Sequence, residues 1–121
     1  MVVLYSCKTI CIYHNDTSNL DDGEIWGSNV NLFFGDNDNI RKVEIKSLKL
    51  SNELRKIKEQ IMENGNDFYK DDACYNYAFI THTNDTIYCN EFVVWRYKKK
   101  TINNNFPAGA VLQAVSAGIT K

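Results

Sequence analysis

Residues 50–65 read LSNELRKIKEQIMENG, and this stretch decides what kind of fold the chain can form. Leu50, Leu54, Ile57 and Ile61 recur at spacings of four, three and four, the repeat that stacks side chains along one face of an α-helix. Arg55, Lys56, Lys58, Glu59 and Glu63 fill the other face. Ser51 stands where a hydroxyl can cap the first turn, and Asn64-Gly65 is a helix stop. The spacing therefore predicts one amphipathic helix over 51–64, with its apolar stripe needing something flat and apolar to cover it.

The flanking segments supply that surface. In residues 2–13, Val2, Leu4, Ile10 and Ile12 share one parity, and Tyr5, Cys7, Thr9, Cys11 and Tyr13 share the other, which is the period of a strand. Ser6 and Lys8 interrupt the first face. A loop of short polar residues follows from His14 to Gly23. Ile25 and Trp26 lead into an expected strand over Asn29 to Phe34, then a turn at Gly35 to Asn39, then a strand from Ile40 to Ile45. Beyond the helix, Cys74 to Thr81 and Thr86 to Tyr97 read as a hairpin joined through His82-Thr83-Asn84-Asp85. Its second strand alternates through Ile87, Cys89, Val93, Trp95 and Tyr97, with Glu91 the exception.

The end of the sequence has a different character. After Lys98-Lys99-Lys100 and a loop at Asn103-Asn104-Asn105, residues 106–119 contain only Gln113 and Ser116 as polar side chains. Pro107 suits a first helical turn and Gly118 suits a helix end, so a second, apolar helix is expected over 107–118. A helix apolar nearly all round has to be covered on most sides. Packing into a homo-oligomer or partner, and packing across the chain's own sheet, both answer that need. The fold class expected is α+β: an antiparallel sheet of five to six strands, the amphipathic helix on one face and the apolar C-terminal helix.

Composition narrows the setting. A chain of 121 residues is the size of one domain, so 1–121 is taken as a single unit. An apolar fraction of 44%, 24% charged residues and a net charge of −1 are those of a folded protein rather than a disordered one. A near-neutral balance argues against broad nucleic-acid or membrane binding, which needs a basic excess. The run Met1 to Lys8 lacks the basic start and long apolar stretch of a signal peptide, and no apolar run reaches the ~18 residues of a membrane span. The expectation is a cytoplasmic protein whose cysteines (Cys7, Cys11, Cys74 and Cys89) are reduced thiols.

Chemistry leaves few marks. Cys7-x3-Cys11 has no partner pair and no Cys-x2-Cys occurs, so no metal site is expected; cysteines inside strands act as small hydrophobes. The loops from Asp16 to Gly23 and Asp36 to Asn39 lack the ligand spacing of a calcium loop. Nucleophilic catalysis would have to pair a cysteine with His14 or His82, and no local signature marks either. Neither a P-loop nor a dinucleotide fingerprint is present, and no cofactor is expected.

Two softer features point to binding. Trp95-Arg96-Tyr97-Lys98-Lys99-Lys100 mixes aromatics and cations as a base-stacking, phosphate-neutralising surface would. The start of the expected tail helix, with Phe106, Ala108 and Gly109, offers small side chains and free backbone N–H groups to an anion. The first expectation is thus a non-catalytic binding protein of the kind found in phage–bacterium conflict. It would sequester a small phosphorylated, nucleotide-derived immune signal in an oligomer formed through the C-terminal helix. Arg96, Lys98 and Lys99 would meet phosphate, and Trp95, Tyr97 or Phe106 would stack the base. The alternative is an immunity or inhibitor protein that blocks a basic toxin or effector through its acidic loops, with Asp16, Asp21, Asp22, Glu24, Asp36 and Asp38 on one sheet edge. A small enzyme using His14 or His82 ranks third.

Overall fold

The apolar stripe of residues 50–61 lies where its spacing puts it, on the face of a sheet. The computed structural model describes residues 9–16, 23–35 and 39–103. Helix α1 spans Leu48–Asn64, and Leu50, Leu54, Ile57 and Ile61 are all buried. It begins three residues before the expected start, because Leu50 has to be helical already to share a face with Leu54. Ser47 is therefore the cap: its Oγ accepts the Leu50 N–H at 3.1 Å. Ser51 sits in the first turn instead, with its N–H donating to the Ser47 carbonyl at 3.0 Å. At the far end the Gly65 N–H donates to the Ile61 carbonyl at 2.8 Å. A Cβ at Gly65 would collide with that same oxygen, so this helix stop requires glycine.

The strands are β1 (Thr9–Asn15), β2 (Ile25–Trp26), β3 (Ile40–Lys46), β4 (Asn66–Asp67), β5 (Cys74–Tyr75), β6 (Tyr77–Ile80), β7 (Thr86–Asn90), β8 (Val94–Tyr97) and β9 (Lys100–Asn103). Among the described residues, seven of them form an antiparallel sheet in the order β3-β1-β6-β7-β8-β9-β4, and β2 pairs separately with β5. The sheet exceeds the five to six strands expected because the segment 86–103 turns back on itself twice. Glu91 and Phe92 both take positive φ (51° and 61°), closing β7 onto β8. Lys98 does the same (φ 54°) between β8 and β9, so the lysine run is a hairpin turn rather than a strand end.

The register puts Ile12 opposite Phe79, Phe79 opposite Ile87, and Cys89 opposite Trp95. These side chains, with Ile10 and Tyr97, form one core against α1. The other face carries Tyr13, Ala78, Tyr88 and Val94, packed against Ile25, Phe33 and Tyr75. Here the expected strand at Asn29 to Phe34 is replaced by a 3-10 helix over Gly27–Phe34, broken at Asn29. A strand would present Phe33 to one side and both Leu32 and Phe34 to the other. Tight turns instead align Val30 with Phe33, three residues on, and both meet this second core. The expected helix over 107–118 lies outside the described residues.

Each of the four stripe side chains contributes about 1.5–3 kcal/mol by burial, so α1 owes its stability to the sheet more than to its own propensity. The cap is a smaller term that can be isolated. Ser47→Ala is expected to lower unfolding stability by about 1 kcal/mol, read as a shifted urea midpoint with an unchanged slope.

Candidate functional site

The residues expected to grip a phosphorylated base are divided among different environments. Trp95 is wholly buried and Tyr97 only 5% exposed, both turned toward α1. Strand alternation then sends Arg96 to the opposite face, where its Nη1 donates to Asp71 Oδ2 at 3.0 Å and to the Gly27 carbonyl at 2.8 Å. The same guanidinium lies 4.8 Å from the Phe68 ring centre and 5.5 Å from that of Tyr88. Asp71 is itself bonded by the Tyr75 hydroxyl (2.7 Å) and the Ala73 N–H (3.1 Å). A Cβ on Gly27 would run into the Asp71 carboxylate, so glycine permits this approach. Lys98 and Lys99 stand exposed on the β8–β9 turn. Phe106, Ala108 and Gly109 lie outside the described residues.

A cleft not anticipated as such opens at the end of the sheet where β1 finishes and β7 turns. Its volume is about 400 Å³, and its walls come from His14, Asn15, Asp16, Glu24, Cys74, Tyr75, Asn76, Asn90 and Glu91. Three of these are carboxylates, and no lysine or arginine lines it. Asp16 and Glu24 are two of the loop acids singled out in the sequence; Asp21, Asp22, Asp36 and Asp38 fall outside the described residues. Local bonds hold the walls in place. The Asn76 amide donates to Glu91 at 3.0 Å and its Oδ1 accepts the Glu91 N–H at 3.1 Å. Asn15 donates to the Gly23 carbonyl at 2.9 Å.

Two polar atoms of this cleft have unmet capacity. Asn15, only 3% exposed, leaves Oδ1 without a hydrogen-bond partner among the described residues, and His14 Nδ1 is in the same position. The His14 ring stacks on Tyr77 at 4.6 Å. Burial pulls its pKa below the usual histidine value against the opposing pull of Asp16, so it is a neutral ring at pH 7. Cys74 shares the cleft, but its sulfur meets the Asn90 amide at 3.6 Å rather than a histidine. Cys89 is buried in the core and desolvation pushes its thiol pKa far up, which removes it as a nucleophile. Among the described residues no group of three or more His, Cys, Asp or Glu converges as a metal site. No helix among them is long and apolar enough to cross a membrane.

A second cleft, about 250 Å³, lies between α1 and the β6–β7 turn, lined by Ser51, Asn52, Arg55, Lys58, Thr81, His82, Thr83 and Asp85. Ser51 Oγ and His82 Nδ1 are 3.3 Å apart. Asp85 accepts from Lys58, Thr83 and Tyr97, each at 2.8 Å. The Lys58 bond in particular holds its pKa down at about 2. Periodicity could not reveal either cleft, because each is assembled from turns far apart in sequence. Comparison with known proteins finds nothing similar: no family model matches the chain, and neither a curated protein nor a solved structure does.

Two outcomes follow from these contacts. Arg96→Ala would leave the Asp71 carboxylate, 6% exposed, without its cation. Unfolding stability should fall by about 3 kcal/mol, whereas a free ligand-gripping arginine would cost under about 0.5 kcal/mol. Asp85 has a folded pKa below its unfolded value, so its contribution is present above about pH 4 and is lost as pH falls toward 2. Acid titrations followed by circular dichroism should therefore show a shallower loss of stability over that window in Asp85→Asn.

Proposed function

We propose that the chain is a non-catalytic binding protein that engages a basic protein partner through the acidic cleft beside β1 and β7. The observation that carries this reading is the wall composition: three carboxylates and three asparagines around about 400 Å³, with a single ion pair, Arg41 to Asp16 at 3.6 Å, among the described contacts of those carboxylates. That volume falls within the usual range for ligand pockets and admits a lysine or arginine side chain. The buried Asn15 Oδ1 is an acceptor that an incoming N–H donor would satisfy, and His14 Nδ1 is a second one in the Nε2–H tautomer. Carboxylates lining a low-dielectric recess favour a cation and speed its approach. An immunity or effector-blocking role in phage–bacterium conflict matches this chemistry, because toxins that act on nucleic acids present basic surfaces.

Sequestration of a small phosphorylated signal in an oligomer fits less well with residues 95–99. A base could stack on Trp95 or Tyr97 only after the side chain left the core beneath α1. Catalysis has a hydroxyl beside a histidine at Ser51 and His82, 3.3 Å apart, but among the described hydrogen bonds no third group orients that ring, and none joins His14 to a nucleophile.

The test uses the full chain and an arginine-rich peptide as probe, with a glutamate-rich peptide as control. Backbone amide shifts should concentrate at 14–16, 23–24, 74–76 and 90–91, and affinity should fall steeply between 50 and 500 mM salt, on the order of tenfold or more. Glu24→Lys should abolish binding without altering the fold. Native mass spectrometry with a nucleotide panel supplies the competing arm. A nucleotide carried by an oligomer, with indifference to the cationic peptide, would reverse the ranking.

A further inference from the structure

The smaller cleft is lined by two cations and one carboxylate and has no part in that reading. Ser51, Arg55 and Lys58 lie four and three residues apart, one stripe of α1, and this stripe faces the turn that carries Thr81, His82 and Thr83. The one carboxylate present, Asp85, is already committed. It takes bonds from Lys58, Thr83 and the Tyr97 hydroxyl, and its charge is cancelled by Lys58 at 2.8 Å. The Asp85 N–H in turn donates to Thr81 Oγ1 at 3.1 Å, and Thr81 and Thr83 hydroxyls sit 3.0 Å apart, which fixes the turn. The remaining charge at the mouth is the Arg55 guanidinium. It reaches Glu59 at 3.4 Å, with both side chains more than half exposed (58% and 55%). An exposed pair of that kind is weak and yields to a stronger anion.

We propose that this cleft is a site for a small phosphorylated ligand, with Arg55 as the anchoring cation and the Ser51–His82 pair, 3.3 Å apart, supplying a supporting donor. Arginine matches a phosphate group through two parallel N–H bonds, and hydroxyls add donors without adding charge. A volume of about 250 Å³ suits a phosphoryl group with a small attached fragment rather than a whole dinucleotide. The residues of this site are different from those expected to bind phosphate at 95–99, of which, among the described contacts, only the Tyr97 hydroxyl reaches the cleft, through Asp85 at 2.8 Å. The site stands independently of the acidic cleft, which shares no wall residue with it.

The experiment is a titration of the isotope-labelled full chain with inorganic phosphate and, separately, adenosine monophosphate, against sodium chloride at matched ionic strength. Saturable shifts at Ser51, Arg55, His82 and Thr83 are expected with both phosphates and not with chloride. Arg55→Ala, at an exposed position, should weaken phosphate binding about tenfold, and Lys98→Ala should leave it unchanged. Glu24→Lys, which alters the acidic cleft alone, should also leave it unchanged. Shifts that never saturate, that chloride reproduces, or that survive Arg55→Ala would overturn the assignment. Saturation by adenosine monophosphate alone, with shifts at residues beyond this cleft, would overturn it in favour of a nucleotide site elsewhere.

Discussion

The Arg96 guanidinium sits where three stretches of chain meet. It leaves β8 on the sheet face away from α1, bonds the Gly27 carbonyl at the start of the 3-10 helix, and pairs with Asp71 ahead of β5. Phe68 and Tyr88 flank it with their ring faces. The layer it secures has little regular structure: one 3-10 helix and a two-residue strand pair. Such a layer lacks the long ladders that hold a sheet, so a buried, multiply bonded charge pair carries much of its attachment. The acidic cleft depends on the result. Glu24, Cys74 and Tyr75 belong to this layer, while His14 and Asn90 belong to the sheet.

The parts of the fold legible in the sequence are those whose burial is periodic. The α1 stripe, the alternation from Thr9 to Tyr13 in β1 and the turn at 82–85 follow from side-chain spacing and turn chemistry. Residues 2–8 of that expected strand lie outside the described residues, and His14 and Asn15, expected in a loop, extend β1 by pairing with Arg41 and Ile40. The 3-10 helix was hidden because Val30, Leu32, Phe33 and Phe34 fit a strand as well as a tight helix, and only packing decides between them. The hairpin at Glu91 was hidden for a different reason. Neither Glu91 nor Phe92 is a usual residue for positive φ, so no glycine or asparagine marked the turn centre. The site residues were harder still. Trp95, Arg96 and Tyr97 are neighbours in sequence, yet strand alternation places the aromatics in one core and the arginine in the other layer. Contiguity in a strand means opposite faces, which the composition of a run cannot express.

The two clefts occupy opposite ends of the β6–β7 hairpin. Five steps along the chain, from Asn76 to Thr81, separate their walls, roughly 17 Å at the rise of an extended chain. One end gathers carboxylates and the other gathers cations and hydroxyls. The cations of the second cleft are each paired there, Arg55 with Glu59 and Lys58 with Asp85, so the contrast is in lining side chains rather than in net charge.

The loop closing β7 onto β8 places Cys89 opposite Trp95 and Ile87 opposite Tyr97, with three residues between Asn90 and Val94. An odd loop length keeps the odd-numbered residues of both strands on the same face. Removing or adding one residue there would exchange the faces of β8, sending Trp95 and Tyr97 outward and Arg96 into the apolar core. The length of this loop is therefore set by the pairing on either side of it, while its composition is held by the Glu91 bonds to Asn76 and by Phe92 against Tyr77 and Trp95. Over evolutionary time the segment 91–93 should resist single-residue insertions and deletions.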